Sequence, residues 1–332
     1  MNTHGIKSAI IGTGHYAPAK VVTNGDLEKI VDTSDAWISE RTGIRERRVA
    51  GEGELTSDMA AKAAMSALAA AGVGASQLDM IIVGTVTGDT PMPATAVHVQ
   101  QKIGAQYIPA FDVSAACAGF LYGLSIADQY IRTGQMTRVL VVGVELLSRA
   151  LNWSDRTTCV LFGDGAGAVV LGRADGDQGR GVISTKIFTD GSLAGSLTIP
   201  GGGSQMPLTH ADLDEAKNKV HMVGSEVFKV AVKNLTSASK AAIEDAGLAA
   251  SDIDWVVAHQ ANLRILTQVA SRLDVPLERF VINIAKYGNT SSASIPIALD
   301  EAVKDGRIKP GQTVLMCALG AGISWGSALV RM

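Results

Sequence analysis

The sequence predicts an α/β fold built from two related halves. Short runs of β-branched and apolar residues, such as "DMIIVGTVTG" and "RVLVVGVEL", alternate with Ala-rich stretches of helical length. Continuous apolar runs of this kind are typical of strands that are covered on both faces of a sheet. An internal repeat places residues 67–88 over residues 242–262, so the chain is expected to consist of two related halves packed with pseudo-twofold symmetry.

The sequence predicts helices, strands and a division of the chain into three regions. The helix "SDMAAKAAMSALAAAG" has Ser57 as a candidate N-cap and Gly72 as its C-terminal stop. The stretch between the halves is rich in Gly and polar residues and has weaker periodicity, which indicates substrate-shaping loops. We therefore divide the chain into an N-terminal half (1–172), a connecting and loop region (173–222) and a C-terminal half (223–332). The predicted strands are "SAIIGTG", "DMIIVGTVTG", "RVLVVGVEL", "CVLFGDGAGAVVLG", "DWVVAHQ", "RFVINIA" and "TVLMCALGAG".

The composition excludes several classes of protein. The 332 residues are 47% apolar and carry a net charge of -3, which argues against general binding of nucleic acid. Three cysteines without a CxxC pair make neither a disulfide framework nor a zinc site, and no cluster of metal ligands is seen. The apolar runs are far shorter than the roughly 20 residues that span a membrane, and the N-terminus lacks a signal-peptide pattern. We expect a cytoplasmic protein without a membrane or nucleic-acid partner.

The repeat brings three reactive side chains to matching places. An offset of 175 residues puts His259 over Gly84, and an offset of 172 puts Asn289 over Cys117. Each of the three side chains is expected to follow a strand. Ligands of α/β proteins bind at the carboxyl ends of strands, so a pseudo-twofold axis would bring Cys117, His259 and Asn289 to one site.

Cys117 lies where a strand is predicted to turn into the helix "CAGFLYGLSIADQYIRTG". A thiolate is the reactive form of cysteine, and the positive end of a helix favours the anion. A free cysteine is more often a buried structural residue. The small neighbours and the strand–turn–helix setting favour a nucleophile at Cys117, whereas Cys159 and Cys317 are interpreted as core residues of apolar strands.

The motifs "DVSAACAGF", "HQANLRI" and "GNTSSASIP" together resemble the β-ketoacyl-acyl-carrier-protein synthase III family of the thiolase-like superfamily. "WISERTGIRERR", "FGDGAGAVVLG" and "GAGISWGSALV" fit the same family, and the resemblance covers essentially the whole chain. It implies a thiolase-like fold, with two pseudo-twofold-related halves in α-β-α-β-α layers. It also implies a homodimer that condenses an acyl-CoA primer with malonyl-acyl-carrier protein and needs no cofactor, since both thioesters are substrates.

The chemistry assigns a role to each site residue. Cys117 would take the acyl group from the thioester, and the His259 and Asn289 side chains would donate hydrogen bonds to the enolate left by decarboxylation. The backbone N–H of Cys117 and that of Ala321 or Gly322 would form the oxyanion hole. The family commonly has three glycines in this segment, and Ala321 is the departure from that pattern.

The resemblance also implies contacts with the substrates. Trp37 and Arg156 match positions that stack on adenine, and Arg41 matches one that meets the phosphates of coenzyme A. Met92 matches a residue, commonly phenylalanine, that closes the acyl pocket of the partner subunit. Carrier proteins are acidic, so basic residues near the entrance are candidates for docking them: Lys229, Arg264 and Arg272.

Other functions stay open at this point. A thiolase would need a second catalytic cysteine, but Cys317 lies two residues too early, and a thiolase has histidine where this chain has Asn289. Condensing enzymes of polyketide, quinolone or signal biosynthesis share the Cys/His/Asn set. A non-catalytic scaffold that binds acyl thioesters is the alternative of a different class. The glycines Gly12 and Gly14 lack the third glycine of a dinucleotide fingerprint.

Overall fold

The computed structural model of the chain describes residues 7–174 and 179–332, which form thirteen strands and ten α-helices. The strands are β1 (Ser8–Tyr16), β2 (Lys20–Thr23), β3 (Glu46–Val49), β4 (Met80–Gly84), β5 (Ala110–Val113), β6 (Arg138–Glu145), β7 (Gly165–Arg173), β8 (Gly181–Thr189), β9 (Leu197–Thr198), β10 (His221–Met222), β11 (Trp255–Ala258), β12 (Thr313–Gly320) and β13 (Ser324–Arg331). The helices are α1 (Asn24–Leu27), α2 (Asp35–Thr42), α3 (Thr56–Ala71), α4 (Thr95–Ile103), α5 (Gly119–Arg132), α6 (His210–Asp214), α7 (Gly224–Asp245), α8 (Leu263–Leu273), α9 (Ile284–Tyr287) and α10 (Ser294–Lys304).

Two sheets share one topology. The first has the order β1-β7-β6-β4-β5 and the second the order β11-β12-β13-β8. In the first, β4 and β6 are parallel and β7 runs antiparallel to both β6 and β1. In the second, β11 and β12 are parallel and β13 runs antiparallel to both β12 and β8. A parallel bridge between Val256 and Phe280 takes the place that β5 has in the first sheet.

The sheets and helices form five layers. Helices α5 and α10 pack between the two sheets, in one apolar cluster that joins residues of both. Helices α3 and α4 cover the outer face of the first sheet, and α7 and α8 cover the outer face of the second. The predicted α/β architecture, with two related halves in α-β-α-β-α layers, is confirmed.

The side chains of the central strands explain why their sequences are continuously apolar. In β12, Val314 and Met316 face the central layer, whereas Leu315 and Cys317 face α7 and α8. Successive side chains of a strand point to opposite faces, so a strand between two helical layers needs apolar residues at every position. Cys317 therefore lies in the outer core, on the face away from α5.

The repeat needs one correction. The left-handed residues Ala116 (φ 46°) and Ser291 (φ 49°) precede α5 and α10 at equivalent places, so the offset there is 175 residues and Cys117 corresponds to Ser292. The predicted offset of 172 holds only at the far ends of these helices, at Gly134 and Gly306, because α10 is three residues shorter than α5. Asn289 therefore precedes the equivalent of Cys117 by three residues.

Two other expectations differ from the structure. The region 173–222, assigned to a connection, contributes the nine-residue strand β8 to the second sheet. Cys159 was expected in a strand but lies in a turn, because β7 begins only at Gly165 and the residues before it pack with α2. Within residues 7–174 and 179–332, no helix combines the length and apolar character needed to cross a bilayer.

Candidate active site

Cys117 lies in a sharp connection between the first sheet and the central layer. Strand β5 ends at Val113, a single 3-10 turn covers Ala116–Ala118, and α5 begins at Gly119. The end of β12, from the other sheet, presses against this turn. A Cβ atom added to Gly320 would lie 2.5 Å from the Cys117 nitrogen, so only glycine fits there.

Burial dominates the electrostatics of Cys117, which is 6% exposed. Burial, together with the negative charge of Glu145, raises the pKa of the Cys117 thiol to about 12, although a hydrogen bond with Ser291 lowers it. Burial thus outweighs the backbone hydrogen bond at Cys117, which lowers the pKa of the thiol in the direction expected of a helix start. The thiol needs a group that takes its proton when it reacts.

His259 follows directly after β11 and is 3% exposed. Its Nδ1 lies 2.7 Å from the hydroxyl oxygen of Ser294 at the start of α10. Burial lowers the pKa of His259 to about 3, so the imidazole is neutral at physiological pH. A neutral histidine can donate one hydrogen bond and accept one, but it cannot supply a positive charge.

Asn289 is held by its backbone on both sides. Its N–H donates to the Leu161 carbonyl at 2.8 Å, and its carbonyl accepts the Gly163 N–H at 3.0 Å. Its side-chain Oδ1 accepts the backbone N–H of Ser291 at 2.8 Å. This contact fixes the orientation of the amide and leaves Nδ2 as the donor.

Cys117, His259 and Asn289 line one cavity of about 160 Å³, together with apolar side chains of α7 and α8. A second cavity, of about 430 Å³, is lined by Cys117, Ser291 and both candidate oxyanion residues. The thiol thus lies where two cavities meet. Residues of the predicted loop region also line the second cavity: Ala194, Leu197, Thr198, Ile199 and Val220.

Ala321 and Gly322 differ in backbone conformation. Gly322 has φ 119°, a value that L-residues rarely adopt. Ala321 keeps a negative φ in the 3-10 turn Ala321–Ile323, so a methyl group is tolerated there. The segment therefore keeps its shape with alanine at the position where the family commonly has glycine.

The three residues predicted for coenzyme A come together beside α2. The guanidinium carbons of Arg41 and Arg156 lie 4.7 Å and 5.5 Å from the centroid of the Trp37 ring. Both arginines are exposed, and Arg156 also donates to the carbonyl of Asp32. Two cations beside an indole suit a flat base that carries phosphates.

The residues predicted for protein contacts are all exposed. Lys229 lies on α7, and Arg264 and Arg272 lie on α8, which packs beside α7 above the smaller cavity. Met92 is 85% exposed, in the loop before α4. In this single chain Met92 does not line either cavity at Cys117.

Sequence reasoning missed four polar or aromatic residues of the site: Ser291, Ser294, Glu145 and Phe162, the last of which lines both cavities. The two serines lie inside the motif "GNTSSASIP", but nothing in the pattern distinguishes them from the serine between them. Glu145 ends an apolar strand, where an acid is often simply at the surface. A fully buried acid could not be recognised without the fold. No group of three potential metal ligands is found in the described parts of the chain.

Comparisons with known proteins point to one family. Profiles described as 3-oxoacyl-[acyl-carrier-protein (ACP)] synthase III and its C-terminal part match residues 111–191 and 243–332. The β-ketoacyl-[acyl-carrier-protein] synthase III of Paramagnetospirillum magneticum is 53% identical over 98% of this chain and 99% of its own length. The homologue from Caldanaerobacter subterraneus is 48% identical, with 98% of both chains covered.

Solved structures give the same result. The 3-oxoacyl-[acyl-carrier-protein] synthase III of Aquifex aeolicus has a TM-score of 0.90 at 46% identity, covering 98% of this chain and 100% of its own. The priming β-ketosynthase of the R1128 polyketide pathway has a TM-score of 0.92 at 36% identity, with 98% and 96% covered. The thiolase-like fold is thereby confirmed. Cysteine, histidine and asparagine on one cavity wall, in a chain about half identical to these synthases along its length, show that the protein belongs to the β-ketoacyl-[acyl-carrier-protein] synthase III family of condensing enzymes.

Proposed function

We propose that the enzyme condenses an acyl-CoA primer with malonyl-acyl-carrier protein to give a β-ketoacyl-acyl-carrier protein, the first condensation of fatty-acid synthesis. The observation that carries the proposal is that Cys117, His259 and Asn289 line one cavity. A nucleophile beside two neutral hydrogen-bond donors suits decarboxylative condensation, because neither donor is needed as a base.

In the first half-reaction, the Cys117 sulfur attacks the carbonyl carbon of the acyl-CoA. The backbone N–H groups of Cys117 and Ala321 would hold the oxyanion, and coenzyme A leaves as the thiol. Ala321 is preferred over Gly322 because the turn at Ala321 has ordinary backbone angles. The larger cavity would take the acyl chain.

In the second half-reaction, the malonyl group loses carbon dioxide and leaves an enolate beside the acyl-cysteine. His259, through Nε2–H, and Asn289, through Nδ2–H, would donate to the enolate oxygen. The low pKa of His259 supports a neutral donor in this role. The enolate carbon then attacks the acyl carbon and releases Cys117.

The substrates would bind at the surface around the smaller cavity. Trp37 and Arg156 would stack on the adenine, Arg41 would meet the phosphates, and the basic side chains of α7 and α8 would dock the acidic carrier protein. The three cysteines are free thiols, which is compatible with the reducing cytoplasm. Acyl-CoA and malonyl-acyl-carrier protein are substrates, and the mechanism uses no cofactor.

A homodimer is part of the proposal. Strand β5 is at the edge of the first sheet, with residues that are only partly buried in the single chain. Pairing of β5 with its own copy would cover this edge and bring Met92 to the partner's acyl cavity. The related priming β-ketosynthase of a polyketide pathway supports secondary metabolism as the second candidate, at lower identity than the fatty-acid synthases.

The decisive experiment incubates the enzyme with malonyl-carrier protein and a panel of acyl-CoAs from about C2 to about C12, with product identified by mass spectrometry. We expect β-ketoacyl-carrier protein from at least one primer, and label on Cys117 in single turnovers. Labelling without any condensation would favour the acyl-thioester-binding scaffold. If the enzyme shows neither label on Cys117 nor condensation product, both functions are excluded.

A further inference from the structure

Glu145 is a carboxyl group sealed in the protein behind the reactive thiol. It is the last residue of β6 and its exposure is 0%. The hydroxyl of Thr87 donates to its Oε2 at 2.5 Å, and the Val86 N–H donates at 3.2 Å. No ion pair to Glu145 is found among the described residues. A buried acid without a cation is costly, so its position calls for a reason.

Ser291 links this carboxyl group to the nucleophile. Its hydroxyl donates to Glu145 Oε1 at 3.2 Å, and the same hydroxyl lies close enough to the Cys117 thiol to lower the pKa of that thiol. Ser291 is 3% exposed and lines the same cavity as Cys117. The Ser291 hydroxyl therefore lies between the thiol and a carboxylate that is itself fully buried.

The other titratable group at the site cannot take the thiol proton. Ser294 occupies His259 Nδ1, and burial holds the pKa of His259 near 3, so the imidazole is a poor base. The remaining side chains that line the two cavities carry no titratable group. Acyl transfer nevertheless requires that the thiol lose its proton.

We propose that Glu145 is the proton acceptor for Cys117 during acyl transfer, acting through the hydroxyl of Ser291. The S–H proton passes to Ser291 Oγ while the Ser291 proton passes to Glu145 Oε1, and the sulfur forms its bond to the acyl carbon. The bond between that carbon and the sulfur of coenzyme A then breaks. The departing thiolate regains one proton, from Glu145 by the same route or from water. The inference rests on the proposed transfer of an acyl group to Cys117.

The electrostatics of Glu145 are consistent with this role. Burial raises the pKa of Glu145 to about 7, so the group can both accept and release a proton near neutrality. Cys117 is the titratable neighbour on the central layer. Arg138 begins β6 and Arg173 ends β7, so both lie at the end of this strand pair that is distant from Glu145. The other charged side chains on helices packed against β6 pair elsewhere: Asp58 with Lys102, Lys62 with Glu54, Asp128 with Arg132, Asp300 with Lys304, and Glu301 with Lys286.

The test compares Glu145→Gln with wild type in single-turnover acylation of Cys117 from acyl-CoA, between about pH 5.5 and about pH 9. We expect the wild-type rate to rise through an inflection near neutrality. Glu145→Gln should lose the inflection and react about 10²-fold more slowly at neutral pH. Ser291→Ala should show the same loss, and the double variant should lose no more, because the two residues act as one unit.

Two controls separate this role from a structural one. Thr87→Val removes another hydrogen bond to the same carboxylate but leaves the link through Ser291, so it should keep the inflection. Malonyl decarboxylation by Glu145→Gln should stay near the wild-type rate, which shows that the site is folded. If Glu145→Gln loses decarboxylation as well, the test rests on the pH profile of acylation in Ser291→Ala. Loss of the inflection supports the proposal, and an unchanged profile overturns it.

The rate at which iodoacetamide alkylates the free thiol distinguishes the two possible roles of Glu145, because Glu145→Gln changes that rate in opposite directions. If Glu145 accepts the proton, Glu145→Gln slows alkylation at neutral pH. If Glu145 acts only as a nearby negative charge, removing it lowers the pKa of the thiol and alkylation becomes faster. Faster alkylation, or acylation with an unchanged rate and pH profile, would overturn the proposal. Loss of condensation with normal acylation would instead count against the proposed function.

Discussion

The hydroxyl of Ser294 is the hydrogen-bond partner of His259 Nδ1. Ser294 Oγ accepts the backbone N–H of Gln260 at 3.4 Å and lies 2.7 Å from His259 Nδ1. A hydroxyl that accepts from the amide keeps its hydrogen for another partner, and we assign it as the donor to Nδ1. A neutral imidazole then carries its hydrogen on Nε2, as a donor to an enolate requires.

Replacing Ser294 should therefore weaken decarboxylation without touching acylation. We expect Ser294→Ala to decarboxylate malonyl-carrier protein about tenfold more slowly, the equivalent of one lost hydrogen bond. Acylation of Cys117 should stay near the wild-type rate. Ser292→Ala is the matched control, since Ser292 is equally buried in the same turn and its hydroxyl has no partner. Equal rates for both variants would contradict the tautomer assignment.

The assignment of the nucleophile is tested by Cys117→Ser. A serine hydroxyl is a far weaker nucleophile than a thiolate, so this variant should take no label from radiolabelled acyl-CoA. Cys317→Ala is the control, because Cys317 is a fully buried thiol on the outer face of β12. The Cys317→Ala variant should still take up label on Cys117. Circular dichroism of both variants checks the fold, and normal labelling of Cys117→Ser would refute the assignment.

The two donors are tested by separating the half-reactions. His259→Ala and Asn289→Ala should each acylate Cys117 and lose malonyl decarboxylation by about 10²–10³-fold, the effect of removing one oxyanion donor. Burst-phase labelling measures the first step and release of carbon dioxide the second. A variant blocked in labelling, with decarboxylation intact, would reverse the assigned roles.

Protein stability should depend on pH through His259. The buried His259 has a pKa of about 3, whereas an unfolded histidine titrates near 6.5. The contribution of neutral His259 is complete above pH 6.5 and is lost as the pH falls, by up to about 1.4 kcal/mol per pH unit. The advantage of wild type over His259→Gln in free energy of unfolding should thus shrink between about pH 7.5 and about pH 5.5. Urea titrations measure it, and a constant advantage would mean that His259 titrates alike in both states.

The dimer and the acyl pocket are tested at Met92. If the loop of one subunit closes the cavity of the other, Met92→Phe should restrict turnover to short acyl-CoAs and leave the rate with acetyl-CoA unchanged. Met65→Phe is the control, because Met65 is an exposed methionine on α3. Light scattering should give a dimer in all three proteins. An active monomer would contradict the dimer, and an unchanged chain-length profile would contradict the pocket.

The layered fold could be predicted because the apolar sequences of its strands indicate that they are buried. β4 and β12 are buried at every position and, apart from Thr313, contain only apolar residues and glycine, which is sufficient to indicate sheets covered on both faces. The strand containing Cys159 was predicted wrongly, because a short apolar run in a packed turn has the same composition as a strand.

The positions of the reactive residues were accessible from the sequence for a different reason. Cys117 and His259 each follow a predicted strand, and Asn289 lies in a recognisable motif. The pKa of Cys117 and the roles of Ser291 and Glu145 were not accessible. They depend on which hydroxyl and which carboxyl group lie beside the thiol, and those side chains are separated from Cys117 by 174 and 28 residues in the chain.

The contact between Gly320 and Cys117 places the proposed catalytic centre at the junction of the two sheets. One wall of the turn belongs to the first sheet and the other to the second, with no room for a methyl group between them. The proposed site therefore needs both halves, because the turn at Cys117 keeps its shape only while the end of β12 stays in place. A buried substitution that slightly tilts either sheet should therefore reduce turnover before it measurably destabilises the fold.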